Sequence, residues 1–192
     1  MALTIHENIT RALQAAENLY HRLVLLVGET GSCKTSVLQE IAKQSGTSVV
    51  NVNLALSVEL LELTAKQRSL RLPGILEKVI RGEGRWSDLG TSIEGRGASK
   101  ESYSLAPHPS SLAPVVLDNT EILFDKDLQQ APLRLLQSIS RNRAVVASWN
   151  GIMNSGSLMY TETGHPEYRG YDSVDALIVE MRGEGLGARG EK

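Results

Sequence analysis

One cysteine, one phenylalanine and an aromatic content of 4% leave this 192-residue chain with few of the groups that staple or anchor a fold. A lone cysteine has no partner for an internal disulfide, which excludes a disulfide-built secreted scaffold and suits a reducing cytoplasm. With so few rings, the core must come mainly from Leu, Val, Ile and Ala. No apolar run approaches the roughly eighteen residues that a membrane span requires. The first residues, MALTIHENITRALQAAENLYHR, lack the basic flank and apolar stretch of a secretory leader. The expected setting is cytoplasmic, with no membrane partner. Charge of one sign is missing too. The 20 Lys and Arg against 22 Asp and Glu leave a formal net charge of −2, so no overall basic field draws the chain onto nucleic acid. His108 and His165 have no partners at metal-ligand spacing, so no zinc site is expected.

What is present is ordinary globular composition, 41% apolar and 22% charged, in a length that suits one α/β domain and not two. Ile5–Tyr20 has apolar side chains at helical spacing (Ile9, Leu13, Ala16, Leu19). Leu23–Val27 is a short apolar run stopped by Gly28, as in a strand buried on both faces. Helical spacing returns over Lys34–Gln44, and Ser48–Asn53 reads as a second strand. Leu54–Gly82 reads as two modestly basic helices separated by Pro73-Gly74. Pro114–Asp118 is a third strand, Asp127–Ser140 a helix with Pro132 early in it, and Arg143–Ser148 a fourth strand. Met159–Thr161 and Ala176–Glu180 supply a fifth strand or a hairpin. Strands alternating with helices imply a mainly parallel sheet covered on both faces. Residues 82–113, rich in Gly, Ser and Pro, read as a flexible insertion, and 182–192 as a disordered tail. Ile93-Glu94-Gly95-Arg96 matches a processing-protease recognition site, by chance or by insertion, and carries no chemistry.

The chemistry lies in Gly28-Glu29-Thr30-Gly31-Ser32-Cys33-Lys34-Thr35, which follows the G-x-x-x-x-G-K-[ST] phosphate-loop pattern with one departure. Glycines let successive backbone N–H groups form a nest for phosphate oxygens, and the helix that follows adds its positive dipole end. Lys34 is placed to reach the β- and γ-phosphates of ATP, and the Thr35 hydroxyl to ligate Mg²⁺. Cys33 stands where the pattern asks for glycine. Three readings stay open: a small side chain is tolerated, binding or turnover is weakened, or the thiol at a helix start is redox-sensitive.

A carboxylate at the end of a neighbouring apolar strand completes such a magnesium site, and Asp118 supplies it. Glu121 reads either as the general base for an attacking water or as a helix N-terminal charge; Asn119 is a weaker candidate for orienting that water. Asn150, or Ser148, at the end of the fourth strand is placed to sense a γ-phosphate, or is only a polar strand terminus. Arg141 and Arg143 read as an arginine finger for a neighbour's nucleotide or as cations at a helix C-terminus.

These motifs resemble the additional-strand branch of P-loop ATPases, near the AAA+ proteins. More narrowly, NVNLALSVELLELTAKQRSLRLP, VVLDNTEILFD, LLQSISRNRAVVASWNG and GHPEYRGYD resemble the BrxF family, small P-loop proteins of bacterial BREX phage-exclusion systems. The resemblance covers most of residues 1–81 and 114–180. It implies a three-layer P-loop NTPase domain over residues 1–181, with a mainly parallel five-stranded sheet and no helical lid domain. It also implies a cytoplasmic ATPase component of an antiviral system that marks host DNA by adenine methylation and blocks phage replication. Lys34, Thr35 and Asp118 then take the nucleotide and Mg²⁺ roles. Expected partners are a second copy of the chain and larger defence-system subunits, with DNA touched only through that complex. A P-loop small-molecule kinase is the alternative, although Arg85 and Arg96 are nearly all the basic character its lid would have. A nucleotide-impaired interaction subunit is another.

Overall fold

The computed structural model describes residues 4–83, 113–161 and 164–181; the tail 182–192 and all of the 82–113 insertion but its ends lie outside them, with Arg85, Arg96 and His108. Helix α1 (Ile5–Ala16) leads to strand β1 (Leu23–Gly28), helix α2 (Lys34–Gln44), strand β2 (Val49–Asn51) and helices α3 (Val52–Leu60) and α4 (Ala65–Ile80). Strand β3 (Val115–Asp118), two 3-10 turns (Glu121–Phe124 and Lys126–Leu128), helix α5 (Pro132–Ile139) and strands β4 (Val145–Asn154), β5 (Ser157–Tyr160), β6 (Arg169–Tyr171) and β7 (Leu177–Glu180) follow. The order across the sheet is β2-β3-β4-β1-β7, and every neighbour on that path is parallel. The fold is therefore α/β with a mostly parallel sheet. Both alternatives offered for the last strands are realised: β7 joins the parallel sheet beside β1, while β5 pairs antiparallel with an extension of β4 and β6 pairs antiparallel with β5.

Alternation along the strands sorts the core into two layers. Val24 and Leu26 of β1, Val116 of β3 and Val146 of β4 pack with Ile9 and Ala16 of α1 and with Val37, Leu38 and Ile41 of α2. Leu23, Leu25 and Val27, with Leu117 and Ala147, face the other way onto α3, α4 and α5. Successive strand side chains point to opposite faces, so a strand buried on both must be apolar throughout, as β1 is.

Several boundaries differ from the sequence reading. The α1 helix stops at Ala16, not Tyr20. β2 keeps only Val49–Asn51, because the Asn51 side chain accepts from the Leu54 N–H at 3.0 Å and starts α3 there. The break between α3 and α4 falls at residues 61–64, not at Pro73-Gly74. Thr64 and Gln67 form a capping box, with Gln67 N–H donating to Thr64 Oγ1 at 3.4 Å and Thr64 N–H to Gln67 Oε1 at 3.0 Å. Pro73 lies inside α4, where its missing N–H strands the Ser69 carbonyl one turn back. Gln130 repairs the loss, its Nε2 donating to Ser69 O at 2.7 Å. The expected Asp127–Ser140 helix is two 3-10 turns followed by α5, separated by Gln129 at φ 51° and started by Pro132 at the first helical position. β4 continues past Ser148, beside β1 as far as Asn150 and then to Asn154 because the chain folds back as β5, so tightly that a Cβ on Gly151 would lie 1.8 Å from the Met159 carbonyl oxygen.

The Gln130–Ser69 repair is testable. Gln130→Ala should cost about 1 kcal/mol in the wild type, and less than half of that in Pro73→Ala, where the helix supplies its own donor. A double-mutant cycle by urea denaturation measures the coupling; equal costs in the two backgrounds would refute it.

Candidate functional site

The site forms where β1 and β3 end, beside Asn150 within β4. β1 runs straight into the loop at Gly28, the one position there with no room for a side chain: a Cβ would sit 2.6 Å from Ser32 Oγ and 2.8 Å from Met181 Cβ. Beyond it Glu29 opens a tight turn, its carbonyl accepting from the Ser32 N–H at 3.2 Å and from Ser32 Oγ at 2.7 Å. Gly31 supplies the left-handed step at φ 85°. Lys34, the first residue of α2, is only 7% exposed. Its Nζ donates to Gly28 O at 2.8 Å, Glu29 O at 2.7 Å and Ser32 Oγ at 3.1 Å, so the ammonium sits inside the loop's curl. Burial pushes this ammonium below the ordinary lysine value; the nearby charges of Asp118 and Glu121 oppose the shift without overcoming it.

Thr35 and Asp118 meet across the sheet end, the threonine hydroxyl donating to Asp118 Oδ2 at 2.7 Å. Strand alternation accounts for the meeting. Val116 faces α2, so Asp118, two residues on, points the same way, toward the first turn of that helix. Asp118 is 2% exposed, and among the described residues it is the one buried carboxylate.

Past Asp118 the chain turns away through Asn119 at φ 52°, whose carbonyl accepts from the Asn53 N–H at 2.9 Å. Thr120 then ties this segment to β4, its hydroxyl donating to the Ser148 carbonyl at 2.8 Å. Glu121 follows, and its Oε1 accepts a hydrogen bond from Asn150 Nδ2. A cleft of about 330 Å³ lies between these parts, lined by residues 30–35, Asp118, Asn119, Glu121 and Asn150. That volume is within the range of small-molecule sites, about 300–1,000 Å³. Gly28 and Glu29 frame the cleft from behind through their carbonyls on Lys34. Of the two candidates on β4, Asn150 lines it and Ser148 does not.

Cys33 has φ 58° and ψ 27°, a left-handed residue directly before α2. The reason glycine is favoured there is thus visible in the backbone: a side chain in this conformation is strained. The thiol is exposed, with Sγ 3.8 Å from the Gly31 carbonyl oxygen. Arg141 and Arg143 precede β4, at the opposite end of the strands, about 20 Å from the cleft at 3.3 Å per residue. Arg141 stacks 5.4 Å over the Tyr20 ring, and Arg143 Nε donates to Ala113 O at 2.7 Å. Neither reaches the cleft of its own chain. His165 accepts from the Glu167 N–H at 3.2 Å, and no group of side chains among the described residues is arranged to hold a metal by His, Cys, Asp and Glu alone. Thr120 escaped the sequence reading. Its only signal was a small polar residue between two acidic candidates.

Comparison with models of protein families, with curated proteins and with solved structures finds no match for this chain. No helix of the described residues is long and apolar enough to cross a membrane.

Replacing Cys33 by glycine should raise stability by about 1 kcal/mol through release of the left-handed strain, a rise in Tm of about 3 °C for a chain of this size. Cys33→Val, β-branched at the same φ, should lower it. Thermal unfolding of the three proteins measures both shifts, and equal Tm values would overturn the assignment of strain.

Proposed function

We propose that this chain binds Mg²⁺-ATP in the Gly28–Thr35 loop and hydrolyses it, as a P-loop ATPase of the additional-strand kind. The observation that carries the reading is the Thr35–Asp118 hydrogen bond. A hydroxyl and a carboxylate from distant parts of the chain share one point at the mouth of a lysine-bearing strand-to-helix loop. Two further features support it: β4 lies between β1 and β3, and Gly28 leaves no room for a Cβ.

Thr35 and Asp118 present hard oxygen donors of the sort that magnesium takes. Bound there, the ion would neutralise charge on the phosphate oxygens. The residues of the chain divide the rest. Lys34 would exchange its loop carbonyls for phosphate oxygens, keeping a cation where negative charge collects. Glu121 would accept a proton from water at its carboxylate, and Asn150 would hold that carboxylate in place through its amide. No helical domain covers the cleft among the described residues, so a second copy of the chain or a larger subunit would close it and exclude water.

The biological setting rests on the BrxF-like strings: a cytoplasmic switch or motor subunit of an antiphage defence complex, reaching DNA only through that complex. Two other readings are decided by the same assay. A small-molecule kinase would pass the phosphoryl group to an acceptor rather than to water. A nucleotide-impaired interaction subunit, which strained Cys33 favours, would bind or turn over only as Cys33→Gly.

Titration with a fluorescent ATP analogue tests the core claim. Lys34→Ala should weaken binding about tenfold or more, the loss of a charge-assisted contact. Asp118→Asn should leave magnesium-free affinity intact and remove the gain that Mg²⁺ confers. Unchanged affinity in Lys34→Ala would sink the proposal.

A further inference from the structure

Glu121 opens a 3-10 turn that closes with Phe124. In a 3-10 turn, side chains three residues apart eclipse, so the carboxylate and the ring leave the turn on the same side, and a turn fixed by the ring fixes where the carboxylate starts. The ring cannot rotate freely. It stacks on Tyr160 with centroids 3.4 Å apart and planes at 5°, and meets the edge of Trp149 at 5.0 Å and 83°. All three rings are buried, at 1%, 3% and 0% exposure.

The two partners of Phe124 come from β4, which carries Asn150, and from β5, which pairs with it. Trp149 precedes Asn150 in β4 and points to the opposite face, its Nε1 donating to the Met159 carbonyl at 3.0 Å. Tyr160 pairs with Gly151 across the hairpin, where no side chain fits between the strands. One aromatic contact thus joins the turn bearing Glu121 to the hairpin beside Asn150. The Tyr160 hydroxyl is held above the ordinary tyrosine range, by burial first and then by the charges of Glu121 and Glu167, which places it within the field of the same carboxylate.

We infer that Tyr160 is a positioning residue for Glu121, acting through the Phe124 ring, so that the β4–β5 hairpin is part of the machinery that would activate water. This role rests on the Mg²⁺-ATP reading above. The hydroxyl is dispensable in it and the ring is not.

The 192-residue chain carries the test. The side-chain amide of Asn150 donates to Glu121, so its proton resonance in a ¹⁵N-edited spectrum reports the pair without any nucleotide. Tyr160→Phe should leave that resonance in place. Tyr160→Leu, and Phe124→Leu as an independent variant from the other side of the stack, should move it toward the position seen in Glu121→Ala. In single-turnover hydrolysis Tyr160→Leu should lose about tenfold, as a displaced general base does. Its Kd for Mg²⁺-ATP should stay within about twofold of wild type, and the same substitution should cost nothing more in a Glu121→Gln background. An Asn150 resonance unmoved in both leucine variants would overturn the inference, as would equal losses in Tyr160→Phe and Tyr160→Leu. So would hydrolysis at the wild-type rate in Tyr160→Leu. A wild-type chain with no affinity for Mg²⁺-ATP would instead overturn the nucleotide reading, and the amide resonance would still decide whether the stack sets Glu121.

Discussion

A 2.7 Å hydrogen bond from Thr35 to Asp118 ties the first turn of α2 to the last residue of β3, across a sheet in which β4 separates β3 from β1. Everything of chemical interest is arranged around that tie. Burying a carboxylate to 2% exposure is costly unless a donor meets it, and the Thr35 hydroxyl is that donor. The same contact sets the distance between the loop and the strand end, and with it the width of the cleft. Lys34 is held one residue away by carbonyls of its own loop. The polar atoms of the site therefore hold each other where the apolar strands run out.

Much of this could be read from the residues because the signals were local and periodic. Leu23–Val27 is apolar on both faces and stopped by Gly28, which fixes a buried strand; Lys34–Gln44 keeps helical spacing, and α2 matches it residue for residue. Asp118 could be placed because a short apolar strand ending in an acid puts its side chain on a known face. The misses came where a nonlocal contact overrode a local rule. Pro73 normally ends a helix, and nothing near it announces that Gln130 will serve the carbonyl it strands. The far part of β4 was illegible for the same reason: Gly151–Asn154 becomes strand only when β5 returns to pair with it. The capping box Thr64-x-x-Gln67 was legible and was overlooked beside a proline.

Strain is distributed with a bias. Of the non-glycine residues at positive φ, Cys33 and Asn119 line the cleft, and Thr161 donates its N–H to the Asn150 carbonyl at 3.4 Å. Such conformations cost on the order of 1–3 kcal/mol each and persist only where the surroundings over-determine them. Here the surroundings are two apolar layers built with few rings, and three of the described rings, Phe124, Trp149 and Tyr160, pack together beside the turn of Glu121 and the strand of Asn150. Rigidity is placed where the candidate chemistry needs it.

The position of β1 in the sheet has a consequence for how the protein is made. Its two neighbours begin at Val145 and Leu177, so the strand that enters the loop emerges from the ribosome long before either flank exists. Gly28 is then packed against Met181, whose N–H donates to the Val27 carbonyl at 2.7 Å. The early segment must wait, apolar and unpaired, for the late one. Assembly is dominated by long-range closure, which is slow and exposes sticky surface. A nascent chain has no finished cleft, and a truncation that removes β7 would leave β1 as an open edge.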